Sequence, residues 1–267
     1  MSTPFFFGER PLFGMLHAGT SAPFVARHAL VLCAPLLQDG IRTHRALWSL
    51  ADVTGRNGVP TLAFDWHGTG DSAGDDASLA LAGMLQDLAQ VEGELARRLD
   101  APQLVWLAVR SAGLPLLGQL SRQPAAVDVV LWEPQLAGRR MVEEWRAQHR
   151  AQLYESGRYA HARHEPDADD LLGFRVDPAL LDSLAAMDAA RLLLPRGSRV
   201  RVAVWEMDDD LERFAQAQRG NAVSVEAVLL DEGERPEWSV PTRFGAQVFP
   251  RRAVTQLAQR LTAQVSW

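Results

Sequence analysis

Short apolar runs alternate along this chain with longer stretches of helical spacing, the pattern of a mostly parallel sheet carrying helices on its faces. Residues 5–7 and 12–17 read as two opening strands, paired as a hairpin about Gly8-Glu9. Residues 29–33 form a short buried strand ended by Ala34-Pro35, and residues 43–56 follow as a helix with Thr43 as its cap and Asn57-Gly58 as its stop. A strand over 59–65 runs into the turn-rich loop 67–74, and residues 78–99 make a long amphipathic helix with Leu81, Leu85, Leu88, Val91 and Leu95 near one face. The apolar strand 104–109 passes through Arg110-Ser111-Ala112-Gly113 into a short helix, and 127–132 is the next strand.

The rhythm then changes. Residues 139–154 are helical and highly charged, 164–167 are loop-like, and 177–187 are helical again, so 133–196 reads as an insertion where a lid would sit. Strands resume at 199–205 and 223–230, and a helix over 251–264 closes the chain. The count is eight strands: a hairpin, then strand–helix–strand units, then a helical excursion after the sixth strand.

Composition narrows the partners. With 267 residues, 47% hydrophobic and 22% charged, the chain suits one large α/β domain spanning 1–267. The net charge of −6, with no basic run, argues against a nucleic-acid partner. Every one of the 27 basic residues is arginine, which removes lysine Schiff-base and lysine-nucleophile chemistry. The single Cys33 excludes an internal disulfide and a multi-cysteine zinc site. No apolar stretch approaches the 18 residues of a membrane span and no basic segment precedes Phe5-Phe6-Phe7, so cytoplasm is the default expectation.

That chain order is the order of an α/β hydrolase, and three segments carry a resemblance to that superfamily. Asp65-Trp66-His67-Gly68-Thr69-Gly70-Asp71-Ser72 looks like the D-x-x-G-x-G-x-S loop after the fourth strand of many esterases and peptidases of this fold. The elbow region 107–113, and Leu131-Trp132-Glu133-Pro134 with its continuation to Arg140 and the later Gly173-Phe174-Arg175-Val176, are similar to the second type of exosortase A system-associated hydrolase. The resemblance is strong over 29–140 and weak beyond 190. It implies an α/β-hydrolase fold and an acyl-hydrolase label, in a family found beside exopolysaccharide and protein-sorting genes.

A nucleophile elbow needs small residues two before and two after the nucleophile, because the strand-to-helix turn is sharp and strained. Two registers fit. Val109-Arg110-Ser111-Ala112-Gly113 presents Ser111 but puts Val109 at a small position. Ala108-Val109-Arg110-Ser111-Ala112 satisfies both small positions but presents Arg110, which cannot attack a carbonyl; the family's Gly-Leu-Arg-Leu-Gly-Ala string favours this second register. In that second case Ser111 serves as a helix-start hydrogen-bonding residue. Asp208 falls at the step that holds the catalytic acid, with Glu206 as the alternative and a solvated acidic turn as the plainer reading of 208–210.

The general base is missing. In this fold it comes from the loop after the last strand, here 231–240, which contains no histidine; all seven histidines precede Asp208. His67, His161 and His164 are the candidate substitutes, and His44 reads as a helix-start residue. Oxyanion-hole amides are expected at Leu36 and Ala112. His161-x-x-His164-Glu165 is the one compact metal candidate and reads better as a solvated loop, so no metal is expected; Gly68-x-Gly70-x-x-x-Gly74 lacks dinucleotide spacing, so no cofactor is expected either. Trp132, Trp145 and Trp238 are placed at a cavity mouth, and Trp48 and Trp106 in packing. Two functions follow: an acyl hydrolase of an ester, thioester or peptide substrate using Ser111 and Asp208, or an inactive hydrolase-fold protein that binds a small apolar ligand or a partner protein.

Overall fold

The computed structural model describes residues 2–18, 28–99, 103–154, 170–236, 238 and 249–262. Eight strands form one sheet in the order β1-β2-β4-β3-β5-β6-β9-β10. Strands β1 (Ser2–Phe7) and β2 (Leu12–His17) make the opening hairpin, and β2 pairs antiparallel with β4 (Thr61–Phe64). From β4 onward every pairing is parallel, through β3 (His28–Cys33), β5 (Gln103–Val109), β6 (Asp128–Trp132), β9 (Arg199–Val204) and β10 (Ser224–Leu229).

Central strands that read as unbroken apolar runs do so because both faces are covered. Leu30, Leu32, Val105, Leu107, Val109, Val130 and Trp132 pack with helices α1 (Leu37–Arg56) and α7 (Arg251–Thr262) on one face. Their neighbours Val31, Cys33, Trp106, Ala108, Val129 and Leu131 join the other core, with α2 (Leu81–Arg98) and α3 (Gly113–Leu120). Asp128 opens β6 as a buried carboxylate and is ion-paired to Arg199 and Arg201 on β9, which satisfies both its oxygens.

Helix α1 starts six residues earlier than its sequence predicts. Thr43, expected as a cap, lies inside the helix and donates to the Asp39 carbonyl at 2.8 Å. The early start depends on Gly40, where a Cβ would stand 2.7 Å from the Pro35 carbonyl oxygen. Only glycine lets the first turn close against that loop.

Between β6 and β9 the chain forms α4 (Gly138–Tyr154), a two-stranded hairpin of β7 (Asp170–Leu171) and β8 (Phe174–Arg175), and α5 (Pro178–Ala185). The hairpin was not expected from the sequence, since two-residue strands leave no readable alternation. Its Leu172 carbonyl accepts from Gln38 of α1, its Leu172 amide donates to His149 Nδ1, and the Arg175 amide donates to Asp76 Oδ2 at 2.6 Å. These bonds hold it over the carboxyl edge of the sheet. After β9, helix α6 (Asp209–Gly220) leads to β10.

Candidate functional site

Strand β5 ends in a 3-10 turn, Arg110–Ala112, that feeds α3. The residue at its apex is Arg110, with φ of 48°, while the next two residues are right-handed or buried in the turn. A left-handed non-glycine residue between a strand and a helix is the elbow conformation, and it costs free energy that the packed surroundings must supply. Of the two registers the sequence allows, the backbone adopts the one with Ala108 and Ala112 at the small positions.

The Arg110 side chain is buried. Its Nε donates to Asp39 Oδ2 at 2.6 Å, and its guanidinium carbon lies 5.8 Å from the centre of the Trp238 ring. Asp39 is buried in the first turn of α1, and Arg42 approaches its other oxygen at 3.9 Å. The elbow therefore presents a neutralised cation where a hydrolase of this fold holds its nucleophile.

Ser111 is fully buried, and its Oγ accepts the Leu36 amide at 2.8 Å. The Leu36 N–H, expected to polarise a substrate carbonyl, is already engaged by this hydroxyl. With Arg110 at the apex, the amide following the apex belongs to Ser111 and not to Ala112, which lies one step further into the turn. Among the described residues no histidine hydrogen-bonds Ser111. The His67 ring packs over Gly74 with its Nδ1 buried and without a hydrogen-bond partner among the described residues, and its backbone amide donates to Asp87 Oδ2 at 2.9 Å. His161 and His164 lie outside the described residues.

Asp208 caps α6 by accepting the Leu211 amide and pairs with Arg140 of α4 at 2.9 Å. Glu206 is exposed and pairs with Arg235. A small polar cavity of about 150 Å³ gathers Arg110, Glu133, Arg140 and Asp208. Glu133, given no role by the sequence beyond the Trp-Glu-Pro resemblance, is left-handed like Arg110 and Leu37, with φ of 48° directly after β6. Its Oε1 accepts the Trp205 amide at 2.7 Å. Burial pushes its carboxyl above the ordinary value, against the lowering influence of the Trp205 amide, Arg110 and Arg235. A raised acid holds its proton in the folded state, so this contribution favours folding at low pH and is lost as pH rises from about 4.5 through the folded value. Replacing Glu133 with Gln removes that dependence. The stability of the native protein relative to Glu133→Gln is expected to fall between pH 4.5 and pH 7, read from denaturant midpoints at the two values.

Four tryptophans depart from expectation. Trp132, Trp205 and Trp238 are buried and meet one another at tilted to edge-on angles, with centroid distances of 5.6 to 6.4 Å, and Trp145 is buried too; among the described residues neither Trp132, Trp145 nor Trp238 lines the polar cavity or the larger one below. Trp238, from the loop after the last strand, lies beside the Arg110 guanidinium. Trp48, expected in packing, is 49% exposed and lines a cavity instead.

That cavity, about 900 Å³, lies between α1 and the strands β2 and β4. Phe13, Met15 and His17 alternate along β2 and so share one side of the sheet, with Ala63 paired beside Met15. Ile41, His44, Leu47 and Trp48 of α1 form the opposite wall, and Phe174 of the hairpin closes the top. Sequence reasoning missed this space. Its signal was present in Ile41 and Trp48, seven apart on one helix face and both exposed, but an outward helical row reads as surface until the neighbouring strand is known.

Among the described residues, no group of three or more His, Cys, Asp or Glu side chains is placed to hold a metal ion, and no helix is long and apolar enough to cross a membrane.

An eight-stranded, mostly parallel sheet opened by an antiparallel hairpin, with an elbow after β5 and helices on both faces, is the α/β-hydrolase fold. Solved structures of that fold superimpose over nearly the whole chain. Est1E from Butyrivibrio proteoclasticus, with ferulic acid bound, is 11% identical over 97% of this chain and 97% of its own, with a TM-score of 0.64. An α/β serine hydrolase homologue from Coxiella burnetii is 13% identical over 100% and 97%, with a TM-score of 0.55. XC6422 from Xanthomonas campestris, a serine hydrolase without a lid, is 13% identical over 98% and 92%, with a TM-score of 0.54. At these identities the likeness is one of fold. No family model and no curated protein matches the chain by sequence.

Proposed function

We propose that this protein keeps the α/β-hydrolase scaffold with a degenerate triad and uses it to bind a small apolar molecule in the cavity beneath α1, without acyl-transfer chemistry. The observation that carries the reading is Arg110 at the elbow apex, ion-paired to Asp39, with the neighbouring Ser111 hydroxyl buried against the Leu36 amide. A serine needs an exposed oxygen, a base to take its proton and free amides for the oxyanion. Ser111 is buried, the loop 231–240 contains no histidine, and the Leu36 amide is in use. By contrast, the cavity has the size and apolar lining of a small-molecule site. The Trp132-Glu133-Pro134 stretch is the ground for placing the protein beside the exosortase A system-associated hydrolases, and under that reading the ligand belongs to an exopolysaccharide or protein-sorting system.

A fluorophosphonate probe separates this reading from an ester, thioester or peptide hydrolase. The purified protein is expected to carry no adduct after prolonged incubation, mapped by peptide mass spectrometry. An adduct on Ser111 would restore the hydrolase reading.

A further inference from the structure

The cavity has a charge pattern at odds with the rest of the protein. Basic residues number 27, all arginine, yet among the described residues none lines this space. Its top edge instead carries Asp65, Asp71 and Asp76, contributed by the glycine-rich loop and the turn after it. Among the described residues, no arginine side chain forms an ion pair with any of the three.

Asp65 is the innermost. Its Oδ2 accepts the Asp71 amide at 3.0 Å, and Gly70, with φ of 53°, brings the loop so close that a Cβ there would stand 2.1 Å from that oxygen. Burial pushes its carboxyl up, Asp71 adds to the rise, and only the Asp71 amide and the His44 imidazole oppose it. Two neighbouring carboxylates at the end of an apolar trough are an arrangement that a cation stabilises.

The far end of the trough is closed by an imidazole. His17 is 2% exposed and its ring lies in the cavity wall, edge-on to Trp48 at 6.1 Å. Its Nδ1 meets Ser2 Oγ at 3.0 Å, while Nε2 is buried with no hydrogen-bond partner among the described residues. Desolvation lowers the pKa of this imidazole, so the floor of the trough favours a neutral ring. From Phe13 to His17 the wall runs four strand steps, roughly 14 Å at about 3.4 Å each.

Building on the ligand-binding reading above, we infer that the occupant is an elongated amphiphile with a cationic amine head. The ammonium sits at Asp65 and Asp71, and the chain lies along Phe13 and Met15 toward His17 and Trp48. An anionic amphiphile of equal length meets the same apolar walls but faces two carboxylates with no arginine to receive it.

The test compares n-decylamine, decanol and decanoate by titration calorimetry at neutral pH and moderate salt, on the full chain and on Asp65→Asn and Asp71→Asn. A charge-assisted contact contributes roughly 1.5–3 kcal/mol, so decylamine is expected to bind at least about tenfold more tightly than decanoate. That preference is expected to shrink in both variants and with added salt, while decanol binding stays level. Asp71 is exposed, so its variant reports even where Asp65→Asn folds poorly. Decanol binding with no amine preference overturns the headgroup inference alone, as does a preference that survives both substitutions. Failure of all three chains to bind overturns the cavity reading itself.

Discussion

Replacing Arg110 with alanine is expected to lower the free energy of unfolding by about 3–5 kcal/mol, the range for removing one partner of a buried ion pair. The carboxylate left behind, Asp39, is 4% exposed. Arg42 at 3.9 Å softens the loss without abolishing it, which places the expected value toward the lower end. The double variant Arg110→Ala, Asp39→Ala removes both charges together and is expected to recover most of the deficit; the coupling between the two sites is then read from a double-mutant cycle by chemical denaturation. Arg110→Gly should be milder than Arg110→Ala by about 1 kcal/mol, since glycine occupies the left-handed region without its steric cost. A cycle with no coupling would mean that the arginine is held by its aliphatic stem and not by its charge.

Substituting Ala63 with phenylalanine is expected to abolish ligand binding while leaving the fold intact. Ala63 lies in β4 beside Met15, half-buried, with its side chain in the cavity wall, so the added ring enters open space and not a packed core. A ligand present at 100 times its Kd stabilises the native protein by about 2.7 kcal/mol. In Ala63→Phe that stabilisation should vanish, with the melting temperature of the ligand-free variant close to that of the native protein. Retained stabilisation would place the ligand elsewhere, and a collapsed melting temperature would mean that the space is less open than its 900 Å³ indicate.

The main sheet was legible because its signals are local. An apolar run such as 104–109 has no other stable place than between two helical layers, and all eight expected strands join one sheet in the expected chain order. The elbow register was legible only as a choice. Ala108 and Ala112 allowed Arg110 at the apex, but which residue turns left-handed depends on how the strand is clamped between its neighbours. Asp39 escaped notice for a related reason: it lies 71 positions from Arg110, and nothing near it in the chain announces a buried partner. The cavity was illegible because it is a difference between elements. It arises where α1 stops short of covering β2, and neither segment alone records that offset. Asp208 drew attention as an acid by its position at a strand end, yet that same position makes it a good helix cap, and the Leu211 amide takes it up.

The Arg110–Asp39 pair also sets the terms on which this scaffold could change its trade. A serine or cysteine introduced at the apex would arrive beside an orphaned anion, in a protein already made less stable, and with no histidine in the loop 231–240. Each change is harmful until the others are present. A nucleophile at the apex therefore needs several coordinated substitutions, because the apex arginine and its buried carboxylate partner can only be exchanged together.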